Sequence, residues 1–515
     1  MTGQTWLWTS PPPTPAPVGV GQLLRAYRQA HGLTQQQLAD QLGFDQSYVS
    51  KVESGRRAIH DISTLRHIAR HLDLAPEDVG LAPGTLADRR RDAARDVFAE
   101  QAAASQRSWR VTRDTLNRNR IKLAKAAAGL YPDTYRLFSG LLARPGWIWP
   151  RPLDIDEVGL RWADDVPEPV LTGGEPQTDG ARPLIADGGP YVRYQRYTRA
   201  MRDLDRPTLF ENRLSFRLLD IAGASATPGT VAGPGPGPGP GPGAWARDDS
   251  GGRPMLSFGH TTYFDAVDVC ETVAHETAAA MMSGGLAWSS LPFRRHVGDP
   301  FDLSSRPVLP SINTLTVRAD RDSASFLLHR RSAGSVATAG GVYHVIPAGV
   351  FQPSGITPGH HRADFDLWRN IMRELSEELL GNTEHDGNSS TPIDYEADEP
   401  FRAFDEARRD GRARVYSFGV GIDALTLFAE ILTVVVIDAD TFDSLFAEMV
   451  HSNAEGSVVA AGPHRTVAEG IPFTYTTMRR LVDSEPLAPA AAACLELAWR
   501  HRELLLPGLR LRAAS

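Results

Sequence analysis

Residues 32–59 read GLTQQQLADQLGFDQSYVSKVESGRRAI, and this stretch decides the fold of the N-terminal part of the chain. Thr34 stands where a helix N-cap belongs, and Gln37 follows three residues later to complete a capping box. The helix so begun meets Gly43, whose missing Cβ admits the positive φ of a tight turn. Ala39 is small enough to let two helices touch, while the β-branched Val49 and Val52 anchor a second helix capped by Asp45. That second helix is predicted to run to about Glu53 and to stop at Gly55. An amphipathic helix over 21–30 precedes the pair. Another, over 62–72, follows it with Leu65, Ile68, Ala69 and Leu72 at core spacing.

This pattern resembles the Cro/repressor-type (XRE) helix-turn-helix family over about residues 18–80, which implies an all-α, lambda-repressor-like head that binds double-stranded DNA. In that family the second helix of the motif lies in the major groove with its first residues against base edges. Carried onto this chain, Gln46, Ser47 and Lys51 become the base-facing residues, because Gln pairs with adenine and Lys donates to guanine. Gln35, Tyr48, Ser50 and Arg56 become phosphate contacts that set register, with Tyr48 reading equally well as a partly buried packing residue. Glu53 reads as structural, since a carboxylate gains nothing beside phosphates. Residues 18–80 hold seven Arg/Lys and seven Asp/Glu, so a single head would bind weakly. The expectation is a homodimer on a two-fold operator, with half-sites about one turn of DNA apart.

Outward from the head, 515 residues exceed one compact domain, and 42% hydrophobic with 23% charged residues is an ordinary globular balance. A net charge of -8 excludes a basic coat over the whole protein but not one local DNA-binding surface. Cys270 and Cys494 cannot build a disulfide framework or a four-ligand zinc site, which suits a reducing compartment. Residues 1–17 form a Pro-rich tail, predicted to be disordered, with neither a basic start nor an apolar core of a signal peptide. The most apolar stretch, 424–437, is short and holds Glu430, so no membrane span is expected. These readings place the protein in the cytoplasm, nucleoid-associated when bound to DNA.

Residues 84–131 are Ala- and Arg-rich and read as a helical linker of one or two long helices, with Arg89, Arg90, Arg91 and Arg95 on a solvated face or beside phosphate. A middle α+β region follows over 132–307. In it the strand candidates 213–221 and 254–264 pair across a Gly-Pro loop at 233–243, and a helix spans 267–282. His275-Glu276 opens an HExxH-like string, but position 279 is Ala, so a zinc protease is excluded and His275 reads as a bonded helix histidine. Strands and helices alternate over 308–480, and a C-terminal helix lies within 481–515. The fold class is therefore multidomain, an all-α head followed by an α+β body.

Within 308–480, LWRNIMRELSEELLGN sets Glu374, Glu377 and Glu378 on one helical face, where a hard cation such as Mg2+ could bridge them to phosphate oxygens. The alternative is a charge-paired surface helix, with Arg373 reaching Glu377 one turn on. Arg373-Glu374-Leu375-Ser376-Glu377-Glu378 resembles the core of the Nudix box, which implies a Nudix-like α/β/α domain over about 308–480. In Nudix enzymes the paired glutamates hold the metal ions, so Glu377 and Glu378 inherit that role here and Glu374 that of base or third ligand. The box is incomplete. Phe365 stands where the family has Glu, Leu380 where it has Gly, and the segment from Gly349 to Arg373 is longer than the box allows. The resemblance thus implies a sensor of a nucleotide-type or phosphorylated metabolite attached to a DNA-binding regulator. Two alternatives remain: an active Mg2+-dependent Nudix-type hydrolase with a DNA-binding head, and a DNA-bound protein-interaction scaffold. Glu430 is a further candidate ligand.

Overall fold

The structure is a computed structural model that describes residues 19–81, 86–186, 191–208, 210–222, 253–331, 342–382, 391–450, 456–459, 470–507 and 509. The Pro-rich tail at 1–17 and the Gly-Pro run at 233–243 lie outside them. The chain forms two compact units, Met1–Glu100 and Gln101–Ser515.

Four helices build the first unit: α1 (Val20–Ala30), α2 (Gln35–Leu42), α3 (Gln46–Glu53) and α4 (Ile62–His71), after which α5 (Leu86–Ala128) begins. Thr34 and Gln37 form the capping box, and Gly43 closes α2 at φ 66° in the left-handed region. Asp45 occupies the N-cap position of α3 in extended backbone, but its side chain makes no capping hydrogen bond, contrary to expectation. Asp61 does cap α4, accepting from the Thr64 N–H at 2.8 Å. Leu24, Leu38, Ala39, Val49, Val52, Ile68 and Leu72 meet in one core. Gly21 is what lets α1 approach α3, since a Cβ there would lie 2.1 Å from the Val52 carbonyl oxygen.

The second unit begins within α5, which corrects the linker reading. Ala102, Trp109, Leu116 and Leu123 recur every seven residues along this helix, and all four are buried. It consists of two helical segments joined by a kink at Asn119, where the backbone leaves helical geometry. Next come β1 (Leu141–Leu142), β2 (Ile148–Asp154), β3 (Gly159–Trp162), α6 (Tyr197–Leu204), β4 (Leu214–Ala222), β5 (Met255–Thr262), α7 (Tyr263–Met282) and α8 (Pro292–Val297). Then follow β6 (Pro310–Ala319), β7 (Ala324–Phe326), β8 (Leu328–Arg331), β9 (Tyr343–Val345), β10 (Ala348–Val350), α9 (Pro358–Asp364), α10 (Leu367–Leu379) and α11 (Phe401–Arg409). The order is completed by β11 (Ala413–Asp423), β12 (Ala429–Asp438), α12 (Ala439–Leu445), β13 (Gly456–Val459), β14 (Ile471–Pro472), α13 (Tyr475–Ser484), α14 (Pro489–Arg500) and α15 (Arg502–Leu505).

β12 is the spine of an eight-stranded sheet, parallel to β6 on one side and antiparallel to β11 on the other. Its mostly apolar sequence, broken by Glu430 and Thr433, suits a strand covered on both faces. Ile431 and Val435 face α10 and α11, whereas Leu432 and Val434 face α13 and α14, so helices cover the sheet on both sides. β1 and β2 also pair with β11. Residues 132–307 and 308–480 therefore share one sheet and one core, and the expected boundary at 307 is not a domain boundary. The 481–515 segment belongs to the same body through α14. β4 and β5 pair antiparallel as predicted, with β3 parallel to β5.

α7 runs through the body almost wholly buried. Its acids serve neighbouring helices. Asp268 accepts from the Thr198 N–H at 2.7 Å at the start of α6, and Glu276 accepts from the Phe293 and Arg294 N–H groups at the start of α8. His275 is a bonded helix histidine, with Nδ1 3.0 Å from the Tyr197 hydroxyl. Burial, helped by the charge of Arg113, pushes its pKa down to about 3. Because the unfolded imidazole titrates near 6.5, its contribution to stability is complete above that pH and drains away as pH falls toward 3. Burial has the opposite effect at Asp268, raising its pKa to about 6, so that group favours the fold on acidification. Comparison with His275→Gln isolates the histidine. Between pH 7.5 and 4.5 the urea midpoint of the parent protein should drop more steeply than that of the variant; parallel lines would refute a buried neutral imidazole.

Candidate nucleic-acid interface

Eight residues of α3 divide cleanly by exposure. Val49, Val52 and Glu53 are buried against α1 and α2, while Gln46, Ser47 and Lys51 are exposed and Tyr48 and Ser50 half-buried. The outward face is therefore polar, short and set on a rigid two-helix corner, the geometry by which a helix enters a major groove. Arg56 is exposed in the turn after the helix.

Glu53 is wholly buried yet charged. Arg28 donates to both of its oxygens, Nε to Oε1 at 2.7 Å and Nη2 to Oε2 at 3.0 Å, and Gln35 Nε2 donates to Oε2 at 2.9 Å. Burial alone would raise the carboxyl pKa; the hydrogen bonds from Arg28 and Gln35 outweigh it and hold the group below its ordinary value. Gln35 in turn accepts from Gln46 Nε2 at 2.9 Å through its own Oε1. A chain of side chains, Arg28–Glu53–Gln35–Gln46, thus runs from a buried ion pair to the first residue of α3. Gln35, expected at a phosphate, uses one amide hydrogen and its carbonyl oxygen in this chain and keeps its second amide hydrogen. Tyr48 packs its ring 5.0 Å from that of Phe44 and has the Arg57 guanidinium over it at 4.6 Å. Sequence reasoning missed Arg28, Gly21 and Arg57, none of which has a local signature.

Residues 20–81 match the family model of a helix-turn-helix domain. None of the curated proteins matches the chain. Among the described residues no helix is long and apolar enough to cross a membrane.

The acidic helix of the body has the expected Arg373–Glu377 pair one turn apart, but not on a solvated surface. α10 is buried nearly all round rather than solvated. Arg373 is buried and donates through Nη2 to the Gln352 carbonyl and to Asn370 Oδ1, each at 2.9 Å. Glu374 and Glu377, with side chains only 14% exposed, lie 3.7 and 4.0 Å from its guanidinium. The Glu374 carboxylate rests on Gly349, where a Cβ would come within 2.1 Å of its Cδ. Glu378 accepts from the Ala348 N–H at 3.3 Å. Each carboxylate is thus held by the chain itself, and no three His, Cys, Asp or Glu side chains among the described residues could hold a metal ion together. The trio as folded does not fit Mg2+. Glu430 bonds Asn313 at 2.7 Å and shares the parity of Leu432 and Val434, which puts it on the sheet face opposite α10.

Proposed function

We propose that the protein is a sequence-specific transcription regulator of XRE type that binds double-stranded DNA as a homodimer through the exposed face of α3. The Arg28–Glu53–Gln35–Gln46 chain carries this reading. With one amide hydrogen given to Gln35, Gln46 presents its other N–H and its Oε1, the pair of groups that adenine N7 and N6 accept and donate to in the major groove. Ser47 and Lys51 extend the reading surface, and Ser50 and Arg56 flank it. The test is selection of duplexes by the purified full chain, followed by Gln46→Ala. The variant should lose about 1–3 kcal/mol on the selected duplex and relax its preference at one base pair. A parent protein with no preference for any duplex at low salt would end the proposal.

A second reading concerns the body, which would sense a phosphorylated or nucleotide-type metabolite rather than hydrolyse it. One observation favours it. A pocket of about 170 Å3 opens between α10 and α11, lined by Trp368, Arg369, Met372, Tyr395 and Arg408 among others. Arg369 lies 5.2 Å over the Tyr395 ring and Arg408 5.7 Å over Trp368, so guanidinium donors adjoin flat aromatic walls. The aromatic walls suit a base; Asp366, Glu396 and Asp405 share the lining and Arg408 is paired with Asp154 and Asp156, which leaves Arg369 as the cation to meet a phosphate. An effector held there would act through its different affinity for two states of the protein. Nucleoside phosphates should raise the melting temperature without turnover, and Arg369→Gln should abolish the shift. Mg2+-dependent phosphate release lost in Glu377→Gln would instead establish the hydrolase.

A further inference from the structure

Tyr48 flanks the outward face of α3, one residue and about 100° round the helix from Ser47. Gln35, which accepts from Gln46, lies toward the other flank. A helix lying in a groove about 12 Å wide has a phosphate wall on each side, so flanking side chains meet backbone rather than bases. On the Tyr48 side the exposed group is Arg57. Gly55, at φ 74°, turns the chain back, and the Arg57 N–H donates to the Lys51 carbonyl at 3.1 Å, which brings its side chain over the Tyr48 ring. Among the described residues no carboxylate forms an ion pair with Arg57, unlike Arg28. Stacking occupies one face of the guanidinium and leaves the N–H donors in its plane available for phosphate oxygens. It also narrows the rotamers of a long side chain before DNA arrives, which lowers the entropy cost of contact.

Building on the DNA-binding reading above, we infer that Arg57 makes the phosphate contact on this flank and that Tyr48 is its positioning residue, acting through its ring and not through its hydroxyl. The inference takes the packing alternative for Tyr48 and gives the phosphate contact on this flank to Arg57, to which the sequence reading assigned no role.

The experiment uses the full chain, a duplex selected by the parent protein and an unrelated duplex of equal length, with binding followed by fluorescence anisotropy over a series of NaCl concentrations. Arg57→Gln should weaken both duplexes alike, about 60-fold at 0.1 M salt for the dimer, and make the slope of log K against log salt shallower by about 1.8, the counter-ions of one phosphate for each head. Tyr48→Phe should match the parent. Tyr48→Leu should lose affinity for both duplexes in the same proportion while the melting of the head, followed by circular dichroism, stays within a few degrees. Should Tyr48→Leu unfold the head, Arg57→Gln and Tyr48→Phe still decide. An Arg57→Gln protein with parental affinity and slope overturns the inference alone, as does a Tyr48→Phe protein weakened on both duplexes. A parent protein that binds neither duplex removes the DNA-binding reading itself, and this inference with it.

Discussion

Glu53→Ala should lose measurable preference for its selected duplex and destabilise the head by about 3 kcal/mol, a large effect for a residue that touches no DNA. The side chain is fully buried, and its charge is matched by Arg28 and by the amide of Gln35. Deleting it strands a guanidinium and an amide in a low-dielectric corner and frees Gln35 to rotate, which unfastens Gln46. Arg28 keeps some solvent access and can turn outward, so the cost falls at the low end for a broken buried pair. Gel-shift titration and thermal melting of the same preparation separate the two effects. Glu53→Gln sharpens the comparison, because it keeps the shape and removes the charge. Equal stability and equal duplex preference in parent and alanine variant would show the network to be idle.

In the body the largest expected loss follows Glu271→Ala. Glu271 is completely buried on α7 and receives Arg113 Nη1 at 3.2 Å and Arg120 Nη2 at 2.9–3.0 Å from α5. Arg113 retains Asp205 when the glutamate is gone, but among the described residues Arg120 keeps only Asn117 Oδ1 as a side-chain acceptor. The expected cost is about 3–5 kcal/mol in urea unfolding followed by circular dichroism. The cause should be stranded charge rather than lost attraction. Accordingly, replacing Arg113, Arg120 and Glu271 together by apolar residues of like volume should recover most of the stability. A triple variant as unstable as the single one would mean that the ion triad itself supplies the stability.

The head was legible because its determinants are local. A capping box, a left-handed glycine and two valines three residues apart act over a dozen positions, and each stands where the spacing places it. What escaped is what folding brings together from afar. Arg28 and Glu53 are 25 residues apart, and nothing in either neighbourhood marks a buried pair. Asp45 sits at the correct position without forming the bond its type allows, since N-cap geometry and side-chain rotamer are separate choices. The seven-residue recurrence of Ala102, Trp109, Leu116 and Leu123 was visible but masked by the surrounding Arg and Ala, so a core helix read as a connector. The division of the body failed for a similar reason, because strands that close the sheet lie far apart in sequence. On α10 the acidic pattern was read correctly as one face. Whether that face meets water, a metal or the protein's own amides depends on Gly349 and Ala348, which come from another element.

The architecture of the central sheet bears on the order in which the protein acquires its shape during synthesis. Thr314 of β6 meets Thr433 of β12 across 119 residues, and Trp149 meets Ser417 across 268. Neither pairing can form until β11 and β12 have left the ribosome, and such distant closures are slow. The small N-terminal helical unit, with contacts close along the chain, has no such delay. A nascent chain therefore carries a finished helix-turn-helix head while its body still exposes unpaired strand edges, and that interval is when the body most needs protection from aggregation.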